Sequence, residues 1–164
     1  MGAPQIRPLA IDDYKRGHLE VLKVLSKVSD PGFEACKAHF KAMLAPKPEA
    51  QAYYVISIVE KATDRVVASG TVFIEKKFLR GLGSVGHIED IAVSKDMQGK
   101  KLGLRVIQTL TSISENVGCY KTILNCSDDN IRESNSFFYS RVELRVCSQP
   151  SMRSVDTQRK RMRW

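Results

Sequence analysis

A chain of 164 residues that is 43% hydrophobic can bury one core and hardly two, so a single domain is expected. Its net charge of +8 is uneven: residues 132–164 hold eight basic and three acidic residues, +5 of that total. The body is only mildly basic and lacks the basic stripe interleaved with aromatics that nucleic acid requires. The four cysteines, Cys36, Cys119, Cys126 and Cys147, show no metal-ligand spacing, and no apolar run is long enough to span a bilayer; a reducing, cytosolic setting is expected.

"QIRPLAI" reads as a short entry strand. Asp12 and Asp13 are placed to cap a first helix, whose apolar positions Leu19, Leu22, Leu25 and Val28 suggest a buried stripe. A second helix begins at "SDPGF" and sets Phe33, Cys36, Phe40 and Met43 on one face. "APKPEAQA" breaks it. "YYVISIVEK" and "VVASGTVFIEKK", joined through "ATDR", form an antiparallel hairpin rich in β-branched residues, and "FLRGLGS" is a loop. "VGHIEDIAV" is the next strand. Leu102, Val106, Leu110, Ile113 and Val117 then recur at helical spacing until Gly118 stops the helix, and "CYKTILNC" is a further strand. The order predicts an α/β domain over residues 5–131, a mixed sheet with helices on its faces. Residues 132–164 lose this patterning and read as a divergent basic tail, largely disordered and without a recognisable final strand.

The informative stretch is "HIEDIAVSKDMQGKKLG", residues 87–103. Successive strand side chains point to opposite faces, so Glu89 and Asp90 cannot both enter one core. One of them must face a cleft or solvent. "QGKKLG" then falls where a strand hands over to a helix. Backbone N–H groups there are unpaired, the helix dipole is positive, and Lys100 and Lys101 add charge, so the segment can cradle a phosphate or pyrophosphate. There is no Walker loop and no three-glycine dinucleotide fingerprint.

Strand, cradle and helix in this order resemble the acyl-CoA-binding motif of the GNAT N-acetyltransferases, Gln/Arg-x-x-Gly-x-Gly/Ala, here Gln98-x-x-Lys101-x-Gly103 with lysine in place of the first glycine. "VGHIEDIAV", "QGKKLG", "GCYKTIL" and "KVL" together are similar to the glucosamine-6-phosphate N-acetyltransferase family, over residues 5 to about 130. The resemblance implies a single-domain GNAT fold, acetyl-CoA as co-substrate, glucosamine 6-phosphate as acceptor on the route to UDP-N-acetylglucosamine, a homodimer, and no metal. It implies that the backbone of Ile91, Ala92 and Val93 pairs with the pantetheine arm, that Gly99, Lys100, Lys101, Leu102, Gly103 and Leu104 hold the pyrophosphate, and that Asn130 belongs to the cofactor site. The sugar phosphate falls to Ser26, Lys77, Phe78, Leu79, Arg80, Glu89, Asp90, Ile91 and Asn125. Glu89 is the candidate for steering away the proton of the amine. The cysteines and His87 read as structural residues.

Two departures stand out. The family carries an acid at the position of Asn125, and asparagine cannot accept a proton at neutral pH. After "DDNI" the family's Phe-Tyr motif and last strand give way to unrelated sequence, as a retained intron or misjoined exon would produce. "FFY" is either a coincidence or, if five residues have been inserted, a relic in which Tyr139 substitutes for the family tyrosine that protonates the departing thiolate. The alternatives are therefore a CoA-binding variant impaired in turnover, with a weakened dimer, or an acetyltransferase for another amine.

Overall fold

A computed structural model describes residues 4–44, 50–127 and 145–149. Its strands are β1 (Gln5–Pro8), β2 (Tyr53–Glu60), β3 (Arg65–Lys76), β4 (Ser84–Val93), β5 (Cys119–Ser127) and β6 (Arg145–Gln149). They form one sheet in sequential order, antiparallel from β1 to β4 and parallel from β4 through β6. The helices are α1 (His18–Leu22), α2 (Phe33–Met43), the single turn α3 (Leu79–Leu82) and α4 (Leu102–Asn116). A parallel β4–β5 pair cannot be closed by a hairpin, and α4 is the crossover it needs.

Helix α4 lies across β3, β4 and β5 and buries Leu102, Val106 and Leu110 against Ile56, Val72, Ile88 and Leu124. Two glycines let it come so close. A Cβ on Gly70 would stand 2.5 Å from a Val106 methyl, and one on Gly86 would stand 2.1 Å from Ser114 Oγ. That hydroxyl accepts a hydrogen bond from Thr122 Oγ1 at 2.7 Å, so the space Gly86 leaves is filled by a satisfied polar pair. The glycine of "VGHIED" is thus a helix-docking residue.

The opposite face carries α1, whose Val21 packs on Val59, Val66 and Ala92. Here the expectations need correction. The first helix has one turn, because Ile11–Tyr14 is a 3-10 turn and Gly17 stands at φ +83 ahead of His18. Leu25, expected in a buried stripe, is 48% exposed. Asp13 does not cap that helix. It is fully buried and receives Arg7 (2.6 and 2.8 Å), the Ala10 N–H (2.9 Å) and Ser57 Oγ (3.0 Å). Burial alone would raise its pKa, but these hydrogen bonds outweigh it and hold the carboxyl below the usual carboxylate range. On α2 the expected face is present but only half-buried, with Phe33 against Tyr14 at 5.5 Å.

The segment expected as a strandless tail contributes β6, paired in parallel with β5 from Ile123↔Arg145 to Ser127↔Gln149. "RVCSQ" is too short for its own alternation to single it out. The edge of β5 supplies the hydrogen-bonding partner that the sequence pattern could not reveal.

Candidate acetyl-transfer site

Strand β4 changes character at its midpoint. From Ser84 to Ile88 it is paired on both sides, with β3 and with β5. The pairing with β5 ends at Ile88↔Leu124, although β4 continues to Val93 and β5 to Ser127. The two strands fork there. Beyond the fork no described strand pairs with the β5-facing side of β4, an edge of the kind that can take an added strand, and Gln98 Nε2 donates to the Val93 carbonyl at 3.4 Å.

A bulge aims that edge. The β3 register passes from Thr71↔Glu89 to Ser69↔Ala92, three residues of β4 against two of β3, and Asp90 takes φ +54. An extra residue in one strand bends it and breaks the strict alternation of faces. This resolves how adjacent acids fit one strand: Glu89 is half-buried at the fork and Asp90 is exposed on the bulge. Asn125 is the first β5 residue past the last β4–β5 pair, as Glu89 is on β4.

The chain leaves Val93 through the 3-10 turn Lys95–Met97 and reaches the expected cradle. Ser94 N–H bonds Val67 O and Met97 N–H bonds Ser94 O, so the approach is fixed to β3. Gly99 has φ +76, with open space where a Cβ would stand. Lys101, in the family's glycine position, adopts the left-handed conformation at φ +59 as the residue preceding α4. The backbone thus keeps its glycine-type shape with a lysine in it, at a cost of about 1 kcal/mol. Arg105 N–H closes the first helical bond, to Lys101 O, which leaves the amides of Leu102, Gly103 and Leu104 ahead of it for an anion. Lys100 and Lys101 are exposed. The edge Ile91–Val93 and the segment 99–104 are thus joined in the chain by the short turn Lys95–Met97.

Other expected site residues fall elsewhere. Lys77, Phe78, Leu79 and Arg80 lie at the far end of β4, beyond the Lys76↔Ser84 pair. That is five residues from Glu89, about 17 Å of strand. Phe78 and Leu79 are 93% and 73% exposed there, and Arg80, Gly81 and Leu82 all have positive φ. Ser26 is exposed on the segment that follows α1. Asn130 and Tyr139 lie outside the described residues. His87 is stacked on Phe73 at 4.7 Å and bonded to Glu75 at 2.9 Å. Glu75 is held below its usual pKa by Lys77 first and by His87 second. Among the described residues no group of His, Cys, Asp and Glu is placed to hold a metal ion, and no helix is long and apolar enough to cross a membrane.

The bulge itself had no sequence signal, since Asp90 is not a glycine. Gly70, opposite the bulge, was the one residue that could have suggested it.

Comparison with known proteins agrees with this geometry. Residues 19–138 match the model of the acetyltransferase (GNAT) family. The chain is 39% identical over 127 residues to glucosamine 6-phosphate N-acetyltransferase 1 of Dictyostelium discoideum, covering 77% of this chain and 78% of that protein. It is 40% identical over 125 residues to glucosamine 6-phosphate N-acetyltransferase of Candida albicans, covering 76% and 81%. The crystal structure of glucosamine-6-phosphate N-acetyltransferase from Arabidopsis thaliana superposes with a TM-score of 0.75 at 31% identity, over 97% of this chain and 99% of that one. With a forked β4 leading into an amide cradle, and with these relatives, the chain belongs to the GNAT family of acetyl-CoA-dependent acetyltransferases.

Proposed function

We propose that this chain transfers the acetyl group of acetyl-CoA to the amine of glucosamine 6-phosphate, giving N-acetylglucosamine 6-phosphate for UDP-N-acetylglucosamine synthesis. The observation that carries the reading is the continuity in the chain of the β4 edge beyond the fork with the cradle before α4. The relatives' names supply the acceptor.

Acetyl-CoA supplies an activated thioester acyl group. The backbone of Ile91, Ala92 and Val93 pairs with its pantetheine arm, and the amides of residues 99–104, with Lys100 and Lys101, hold its pyrophosphate. The Ile91 N–H donates to the carbonyl oxygen as that oxygen gains negative charge, a stabilisation that commonly dominates acyl transfer. Nucleophilic attack requires a neutral amine. Glu89, beside the fork, takes the proton directly or through water, and Asp90 and Ser26 orient the sugar. The C–N bond forms as the C–S bond breaks, and the thiolate is protonated on departure, with Tyr139 as the candidate donor. Asn130 contributes to the cofactor site.

The chain acts as a homodimer, as its resemblance to the family implies, and an arrangement in which one chain's turn Lys77–Arg80 reaches the other's acceptor would account for the distance of that turn from the fork of its own chain. Cys36 and Cys119, both free thiols, suit a reducing cytosolic compartment.

Asn125 favours a second reading, in which the chain binds CoA but turns over slowly. The two separate in one assay. Purified chain given acetyl-CoA should release free thiol at a rate that depends on glucosamine 6-phosphate and falls sharply with unphosphorylated glucosamine. CoA binding without thiol release would support the second reading, and equal use of both sugars would point to another amine.

A further inference from the structure

Arg7, Ser57, Ser69 and Ala92 stand opposite one another in register across β1, β2, β3 and β4. Residues directly opposite share a face of the sheet, and Ala92 packs against Val21 of α1, so the row runs beneath α1. At one end Asp13 seals Arg7 and Ser57. At the other, His18 Nε2 lies 3.1 Å from Ser69 Oγ.

The direction of that bond follows from its neighbour. Ser69 Oγ donates its hydrogen to Ile56 O at 3.0 Å, and a hydroxyl has a single hydrogen. The oxygen must therefore accept from His18, which fixes the imidazole with its proton on Nε2. Burial pushes the His18 pKa down, against the opposing charge of Asp13, in keeping with a neutral ring.

The location gives the bond its consequence. Ser69 pairs with Ala92 at the edge of the β4 bulge, and Ile56, whose carbonyl takes the Ser69 hydrogen, pairs with Gly70 opposite that bulge. A second tie lies just upstream, from Val66 N–H to Arg16 O at 2.9 Å. The residue between Arg16 and His18 is Gly17, whose left-handed φ turns the chain so that both ties are made at once.

We propose that His18 is a positioning residue for the acyl-donor edge: its bond to Ser69 clamps α1 onto β3 beneath Ala92 and holds the bulge that presents Ile91–Val93. This rests on the reading of that edge as the acetyl-CoA site.

The test uses the full chain with His18→Leu, Ser69→Ala, the double variant and His18→Gln, which keeps a donor at similar reach. CoA affinity is read by calorimetry, and kcat and KM by thiol release. His18→Leu and Ser69→Ala should each weaken CoA binding and raise KM for acetyl-CoA about fivefold, as one lost hydrogen bond does, with kcat within about twofold. The double variant should be no worse than either single one, and His18→Gln should restore affinity to within about twofold of the wild type. Unchanged CoA affinity in the two folded single variants, multiplying effects in the double, or a His18→Gln as weak as His18→Leu would each overturn the inference. A folded wild-type chain that binds no CoA would instead overturn the acetyltransferase reading, and the inference with it.

Discussion

The two halves of β4 have the same backbone and opposite duties. Ser84–Ile88 is paired on both sides and roofed by α4, with Val85, Gly86 and Ile88 buried. Glu89–Val93 pairs with β3 alone among the described strands and is bulged at Asp90. The first half is anchored by two neighbouring strands and the second by β3 alone among the described strands. The strand is one cantilever, and substitutions in its halves should fail in different ways.

The largest effect is expected at the fork. Glu89→Gln removes the proposed proton acceptor while nearly preserving shape, so kcat should fall about 100-fold, with Tm and CoA affinity close to wild type. A similar loss of stability instead would mean that Glu89 belongs to the rigid half. Next comes Gly86→Ala in that half. Its Cβ would stand 2.1 Å from Ser114 Oγ, and the displaced helix should cost about 2 kcal/mol, read as a lower denaturation midpoint. Adding Ser114→Gly should recover part of it, since the clash is with that side chain.

Asn125→Asp restores a carboxylate at the fork and should raise kcat about tenfold. No gain would show that Glu89 already suffices. The smallest effect is at the cradle, where Lys101→Gly relieves the left-handed lysine at φ +59. It should stabilise the fold by about 1 kcal/mol. The same change removes a cation from the pyrophosphate site, so CoA binding should weaken and depend less steeply on salt.

Much of the scaffold was legible because its periods are long and unambiguous. The hairpin of β2 and β3, the helix from Leu102 and the strand from Cys119 all carry enough repeats to declare themselves. "QGKKLG" by itself was a weak signal, since basic turns before helices are common, and it stood out only beside the strand and helix that flank it. What stayed hidden depends on partners distant in sequence. Asp13 looks like a helix cap until Arg7 and Ser57 are brought to it. Asp90 looks like a regular strand residue until Gly70 is set opposite. β6 is invisible until β5 offers an edge. Lys77–Arg80 and Glu89 are neighbours in sequence, yet the register of β3 on β4 sets the turn at the start of β4 and Glu89 at its middle.

The central claim is that the second half of β4 and the amides ahead of α4 form one binding surface for acetyl-CoA. Amide hydrogen exchange of the full chain, with and without CoA, tests it most directly. The account predicts new protection concentrated in residues 91–93 and 99–104, with Ser84–Ile88 already slow and unchanged. A folded chain that takes up CoA while those amides exchange as freely as before would contradict it.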